Sequence, residues 1–111
     1  MMQTVRFKAG DTLSFVGQVN VADGVQWAGR GKIRKSDGTQ VADLDVSLTG
    51  DLQKWVVIEK AASETAFWPN PATPGASVEL FFDYELYDPL GDTVLSSETV
   101  RVIVEYDPTR G

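Results

Sequence analysis

The sequence predicts an all-β protein, an antiparallel sandwich of about seven strands with at most one short helical turn near residues 60–67. Three observations carry that prediction. Apolar residues recur with period two along most of the chain. Turn-forming residues interrupt them every eight to twelve positions or so. No segment long enough for a stable helix shows a 3.6-residue period. The 111 residues make one domain, taken as 1–111, large enough to bury a core of its own.

The first strand expected runs from Leu13 to Val21, with Leu13, Phe15, Gly17, Val19 and Val21 on one face and Ser14, Val16, Gln18 and Asn20 on the other. Gly10-Asp11 precedes it and Ala22-Asp23-Gly24 ends it. Asp37-Gly38 then signals a two-residue type I′ hairpin turn, in which both central residues must tolerate positive φ. That turn sets Trp27 opposite Leu48, Gly29 opposite Val46, Gly31 opposite Leu44 and Ile33 opposite Ala42, an apolar ladder. On the other face Arg30 meets Asp45 and Lys32 meets Asp43, so register, turn and charge agree.

Thr49-Gly50-Asp51 punctuates, and Lys54–Glu59 is a short β-branched strand. Lys60–Ala66 is the one helical candidate, and Pro69, Pro71 and Pro74 make the next stretch a loop. Ser77–Asp88 is the richest strand, with Val78, Leu80, Phe82, Tyr84 and Leu86 on one face and Glu79, Phe81, Asp83, Glu85 and Tyr87 on the other. After the turn at Asp88-Pro89-Leu90-Gly91-Asp92, Thr93–Tyr106 closes the fold and Asp107–Gly111 is a tail. A three-residue loop there sets Glu79 against Arg101 and Leu80 against Val100. It also sets Phe82 against Glu98, an awkward pair that a bulge would relieve. Strand number and spacing point to the immunoglobulin-like kind of sandwich, with a small barrel as the rival architecture.

Composition narrows the chemistry. With 16 acidic and 10 basic residues the net charge is −6, the wrong sign for a nucleic-acid binder, and no nucleic-acid partner is expected. Cys and His are absent, which removes disulfides, thiol and Ser-His catalysis, and metal sites built on those ligands. The N-terminal sequence has no signal-peptide pattern and no apolar run approaches a membrane span, so synthesis in the cytoplasm and no membrane partner are expected. Carboxylates are the remaining acid–base candidates. Asp43 and Asp45 share a strand face but already have cross-strand cations, which favours a solvated face over glycosidase chemistry. Asp83, Glu85, Asp88 and Asp92 gather around one hairpin, but without the loop spacing of a calcium site. No catalytic residue, cofactor or metal is therefore expected.

Interaction residues are easier to nominate. Arg34 and Lys35 sit near the first hairpin tip, beyond the reach of Asp43 and Asp45. Trp27 reads as core and Trp68, ahead of Pro69, as a loop plug. Trp55 alternates with Val56 and Ile58, which allows it to face out, and Phe81 and Tyr87 share the face opposite Leu80 and Phe82. These five, Trp55, Phe81, Tyr87, Arg34 and Lys35, are the candidate interaction residues.

The order of motifs resembles small immunoglobulin-like β-sandwich structural proteins of tailed bacteriophages and prophages, of baseplate, fibre or head-tail accessory type. The matching features are Gly10-Asp11-Thr12-Leu13-Ser14-Phe15, Trp27 with Arg34, Val41-Ala42-Asp43-Leu44, Ala66-Phe67-Trp68-Pro69, Phe82-Asp83-Tyr84, and Ser97-Glu98-Thr99 with Val102, Val104 and Thr109-Arg110. The chain departs from the pattern in its longer Asn70–Pro74 loop and its Leu-rich final turn. The resemblance implies a non-enzymatic virion or assembly component, docking on other virion proteins or on copies of itself in a symmetric particle. On that reading the strand Thr99–Tyr106 would be an edge contact, and Phe81 and Tyr87 an apolar one. Two alternatives remain: a carbohydrate-binding or adhesin module, which needs Trp55, Phe81 or Tyr87 exposed in a row, and a small protein inhibitor acting through its loops.

Overall fold

Alternating burial resolves the described residues into eight strands and one turn of helix. In the computed structural model, which describes residues 3–8, 10–19, 21, 26–49 and 55–106, they are β1 (Gln3–Lys8), β2 (Leu13–Gln18), β3 (Ala28–Lys35), β4 (Gln40–Thr49), β5 (Trp55–Lys60), α1 (Ala62–Thr65), β6 (Ser77–Tyr87), β7 (Val94–Ser96) and β8 (Val100–Glu105). The ladders follow the path β1-β8-β6-β3-β4-β5-β2, with β7 beside β6. β4 belongs to two layers, because its first half pairs with β3 and its second half, Asp45–Thr49, pairs with β5. The adjacencies β2-β5-β4 and β3-β6-β8 are those of an immunoglobulin-like sandwich. The fold class expected from the sequence is the one found.

The core lies between the layers. Leu13, Phe15, Ile33, Leu44, Val56, Ile58, Leu80, Phe82, Leu86, Val100, Val102 and Val104 are buried there. Phe15 of one layer meets Phe82 of the other edge to face, with centroids 5.3 Å apart, a favoured aromatic geometry. Trp68 plugs the end of the sandwich against Phe7. Nearby, the buried Thr65 hydroxyl donates to the Asp11 carbonyl at 2.6 Å and ties the helical turn to the β1–β2 connection.

Several expectations need correction. β1 is a strand that the sequence pattern does not announce: it pairs in parallel with β8, across almost the whole chain, where local pattern gives no guide. β8 therefore has neighbours on both sides, β1 and β6, and the expected edge strand Thr99–Tyr106 is interior. The closing strand is also broken into β7 and β8. Its register against β6 sets Glu79 opposite Ile103, Phe81 opposite Arg101 and Phe82 opposite Val100. The break at Ser97-Glu98-Thr99 causes the offset and removes the Phe82–Glu98 clash. There the Ser97 hydroxyl accepts the Tyr84 amide at 2.9 Å, and the Ser97 amide donates to the Tyr84 carbonyl. The breaks expected at Ala22-Asp23-Gly24 and Gly50-Asp51, and the tail Asp107–Gly111, lie outside the described residues.

The first hairpin agrees with expectation in its pairs and departs from it in its turn. Gly31–Leu44, Lys32–Asp43 and Ile33–Ala42 pair as expected. The turn, however, is not the two-residue type. Lys35 N–H donates to Thr39 O and Gly38 N–H to Lys35 O, and Gly38 takes φ 92°. This is a three-residue loop with glycine in the left-handed position. A bulge between Ile33 and Arg34 then restores the register, so Arg34 faces Gln40. Past Gly31 the pairing with β4 stops, and the expected Arg30–Asp45 and Trp27–Leu48 ladder pairs do not form. Gly29 still approaches β4 closely: a Cβ placed on it would lie 2.6 Å from Val46 Cγ1.

The close approach at Gly29 and the Asp37 turn can each be tested. Gly29→Ala should destabilise the fold by about 1–3 kcal/mol through overpacking, and Val46→Ala should recover part of that loss in a denaturation double-mutant cycle. In the turn, Thr39 N–H donates to Asp37 Oδ1 at 2.9 Å and holds the Asp37 carboxyl below its ordinary 3.8. A lowered folded-state value means that its stabilisation is present above 3.8 and is lost as pH falls through the folded value. The melting-temperature gap between wild type and Asp37→Asn should therefore shrink from pH 7 towards strongly acid pH. A constant gap would show that the charge contributes nothing.

Candidate functional site

Register places one group of side chains on the outward face of the β8-β6-β3 layer. Across β3 and β6 the pairs are Ala28–Tyr87, Arg30–Glu85, Lys32–Asp83 and Arg34–Phe81, and Phe81 is flanked on its far side by Arg101. The face is thus a grid of cations on β3 against carboxylates and aromatic rings on β6. Arg30 Nη2 lies 2.8 Å from Glu85 Oε2 while its guanidinium sits 4.7 Å from the Tyr87 ring centroid. Arg34 Nη1 lies 3.4 Å from Asp83 Oδ1. Beside these rows an open groove of about 740 Å³ runs over β3, with Arg30, Lys32, Arg34, Asp43, Asp83 and Glu85 among its walls.

These pairings settle the acidic candidates. Arg30 takes Glu85 because β4 has already left β3 where Asp45 sits, and Asp45 instead faces Lys60 at 3.8 Å. Asp43 accepts from Gln40 Nε2 at 3.1 Å. Asp88 is used by its own turn, accepting the Leu90 amide at 3.0 Å. Among the described residues no group of three or more Asp or Glu is disposed to hold a metal ion, and no helix is long and apolar enough to cross a membrane. Every ion pair here is at least partly exposed on the carboxylate side, so each contributes less than about 1 kcal/mol. Burial pushes the Tyr84 phenol above its ordinary 10.0, as expected for a ring leaning on Phe15.

Of the five residues nominated from sequence, the fold brings three to this face: Arg34, Phe81 and Tyr87. Arg34 is not free as expected, being paired with Asp83, and both rings are half-buried. Lys35 is exposed at the hairpin tip. Trp55 stands apart on the outward face of the other layer, 43% exposed, with Gln18 and Thr49 as register partners. The three rings are therefore not exposed in one row.

Sequence reasoning missed the largest set of exposed apolar side chains on one segment among the described residues. Leu90 is 97% exposed, Val94 51% and Leu95 39%, all on the hairpin that joins β6 to β7. The signal was available: three large aliphatic residues within six positions, in a segment otherwise built of Asp, Pro, Gly and Thr. Phe67, almost wholly exposed, lies at the opposite end of β6 beside the buried Trp68.

No protein-family model matches the chain, and neither does any curated protein. Among solved structures it is similar to the NK cell receptor NKp44, described as a triggering partner in natural cytotoxicity, at 12% identity and a TM-score of 0.49, covering 96% of this chain and 99% of that one. The strand adjacencies β2-β5-β4 and β3-β6-β8 are themselves immunoglobulin-like.

The contrast among the three tryptophans is testable. Trp55→Phe should remove the most readily quenched component of the fluorescence in an acrylamide titration and alter stability by no more than about 0.5 kcal/mol.

Proposed function

We propose that this chain is a non-enzymatic docking module, a structural or assembly component of a tailed-phage or prophage particle that binds neighbouring protein subunits. The observation that supports this reading is the exposure of three aliphatic side chains on the β6–β7 hairpin: Leu90 in the turn, Val94 opposite Tyr87 and, on the other face, Leu95 opposite Leu86. Hairpin tips in water are ordinarily polar. Exposed apolar side chains gain about 25 cal/mol for each Å² a partner covers. Tyr87, which precedes the turn, is stacked by Arg30, and tyrosine and arginine are enriched where interfaces concentrate their energy. The identity of the partners, virion proteins, comes from the resemblance in motif order. The paired state of the carboxylates supports a role without chemistry.

The test is incorporation. Particles induced with a DNA-damaging agent, banded on a density gradient and analysed by mass spectrometry should contain this chain at a fixed ratio to the capsid protein. The double variant Leu90→Asp with Leu95→Lys should reduce that ratio about tenfold or more while leaving the circular dichroism spectrum unchanged. Absence of the wild-type chain from intact particles would sink the virion reading. A tight one-to-one complex with a host enzyme would replace it with the inhibitor.

A further inference from the structure

The two ends of the strand path differ in a way that bears on self-association. A terminal strand presents unpaired N–H and C=O groups, and monomeric proteins guard such edges with charge, proline or bulges. β1 is guarded, since Arg6 and Lys8 are exposed along it. β2, at the other end, has β5 as its one ladder partner among the described residues. Its six residues, Leu-Ser-Phe-Val-Gly-Gln, include no charge and no proline. Of the described strands only β2 and β7 lack a charged residue, and β7, with three residues, is too short to hold a partner strand by itself. Val16, in the middle of β2, is 53% exposed. Its register partner Val57 is half-exposed, and Trp55 follows diagonally on the same face.

We propose that the edge of β2 away from β5, which no described strand occupies, pairs with β2 of a second copy, antiparallel about a two-fold axis through Val16. Charge selects this occupant. At a net charge of −6 two copies repel each other wherever carboxylates meet, and β2 is the full-length strand where none do. The strand is also self-complementary in this register. Val16 meets its own symmetry mate and Ser14 meets Gln18 of the second copy on the outer face. Phe15 meets Gly17 on the inner face, an aromatic beside a glycine. A slip of one residue would set Phe15, which is buried, opposite the outward Val16 and is excluded by the pleat. The pairing is isologous and closes at two copies. It is independent of the hairpin reading, which uses the other layer.

Sedimentation velocity on the full chain between about 1 and 500 µM should show a monomer–dimer equilibrium. Val16→Lys should raise the dissociation constant at least about tenfold by setting like charges face to face. Leu95→Lys, on β7, should leave it unchanged. The register is tested by disulfide trapping, for which the chain conveniently has no cysteine. Val16→Cys on the axis places Cα atoms about 4.5–5.5 Å apart, within disulfide reach, and should oxidise to a covalent dimer. Ser14→Cys, which faces Gln18, should not. The proposal is overturned if the wild type stays monomeric throughout, if Val16→Lys leaves the dimer intact, if Leu95→Lys dissolves it, or if Ser14→Cys cross-links as well as Val16→Cys. Should Val16→Lys fail to fold, the cysteine pair still decides.

Discussion

The change of partner by β4 is the constraint on which the rest of the sandwich depends. Up to Leu44 the strand is paired with β3, and from Asp45 it is paired with β5. Alternation is not interrupted across that point: Leu44, Val46 and Leu48 stay on the core side, and Asp43, Asp45 and Ser47 stay outside. One strand thus carries a continuous apolar row from one layer to the next, which a separate pair of strands would need another loop to achieve. The cost falls on β3. Its residue at position 29 has no room for a side chain because Val46 occupies that space, and at 31 a Cβ would lie 3.4 Å from Val46 Cγ2 and 3.0 Å from the Asp83 carbonyl of β6 on the other side. The two glycines, in a strand that also holds four cations, accommodate the crossing.

The electrostatics of the outer face follow from the same geometry. Had β4 stayed with β3, the cations of β3 would have been shared between carboxylates on both sides. Its departure leaves Arg30 with Glu85 on β6, and Asp45 with Lys60 on β5. Lys60 also reaches Glu64 at 3.7 Å, so the layer boundary and the helical turn are joined by one ammonium group. None of these exposed pairs stabilises much. Together they leave the outer face with its charges largely matched, although the chain carries a net charge of −6.

The first hairpin is legible from sequence in unequal parts. The pairs from Gly31 to Ile33 are readable because charge and hydrophobic pattern both vote on register there. The turn is not, since Asp-Gly suits a two-residue type I′ loop as well as the last positions of a three-residue one. The difference does not propagate because the bulge at Ile33/Arg34 shifts the register back by one residue. Trp68 as a plug and Trp55 facing outward are readable from proline and from alternation. β1 is not, since its parallel partner β8 lies at the far end of the chain. Nor is the grouping of Arg34 with Phe81, which pairing of β3 to β6 creates from residues with no sequence proximity. Candidate site residues are individually visible, but their sharing of a face is a property of topology.

Edges and tips divide the surface between them. The guarded edge β1 and the matched charges of the outer face resist unspecific association. The uncharged β2 and the aliphatic β6–β7 hairpin do not, and they belong to different layers. Pairing at β2 would extend the β4-β5-β2 layer across a two-fold axis without covering Leu90, Val94 or Leu95. Both hairpins of the pair would then remain available, held at a fixed separation by a rigid sheet rather than by a linker. Two weak apolar tips in one rigid body bind a repeating surface with an effective concentration set by geometry, so a lattice of subunits at matching spacing is favoured over a single free one. On the proposed pairing, selectivity for arrays would follow from the contrast between the charged strands of this sandwich and the two described strands that carry no charge.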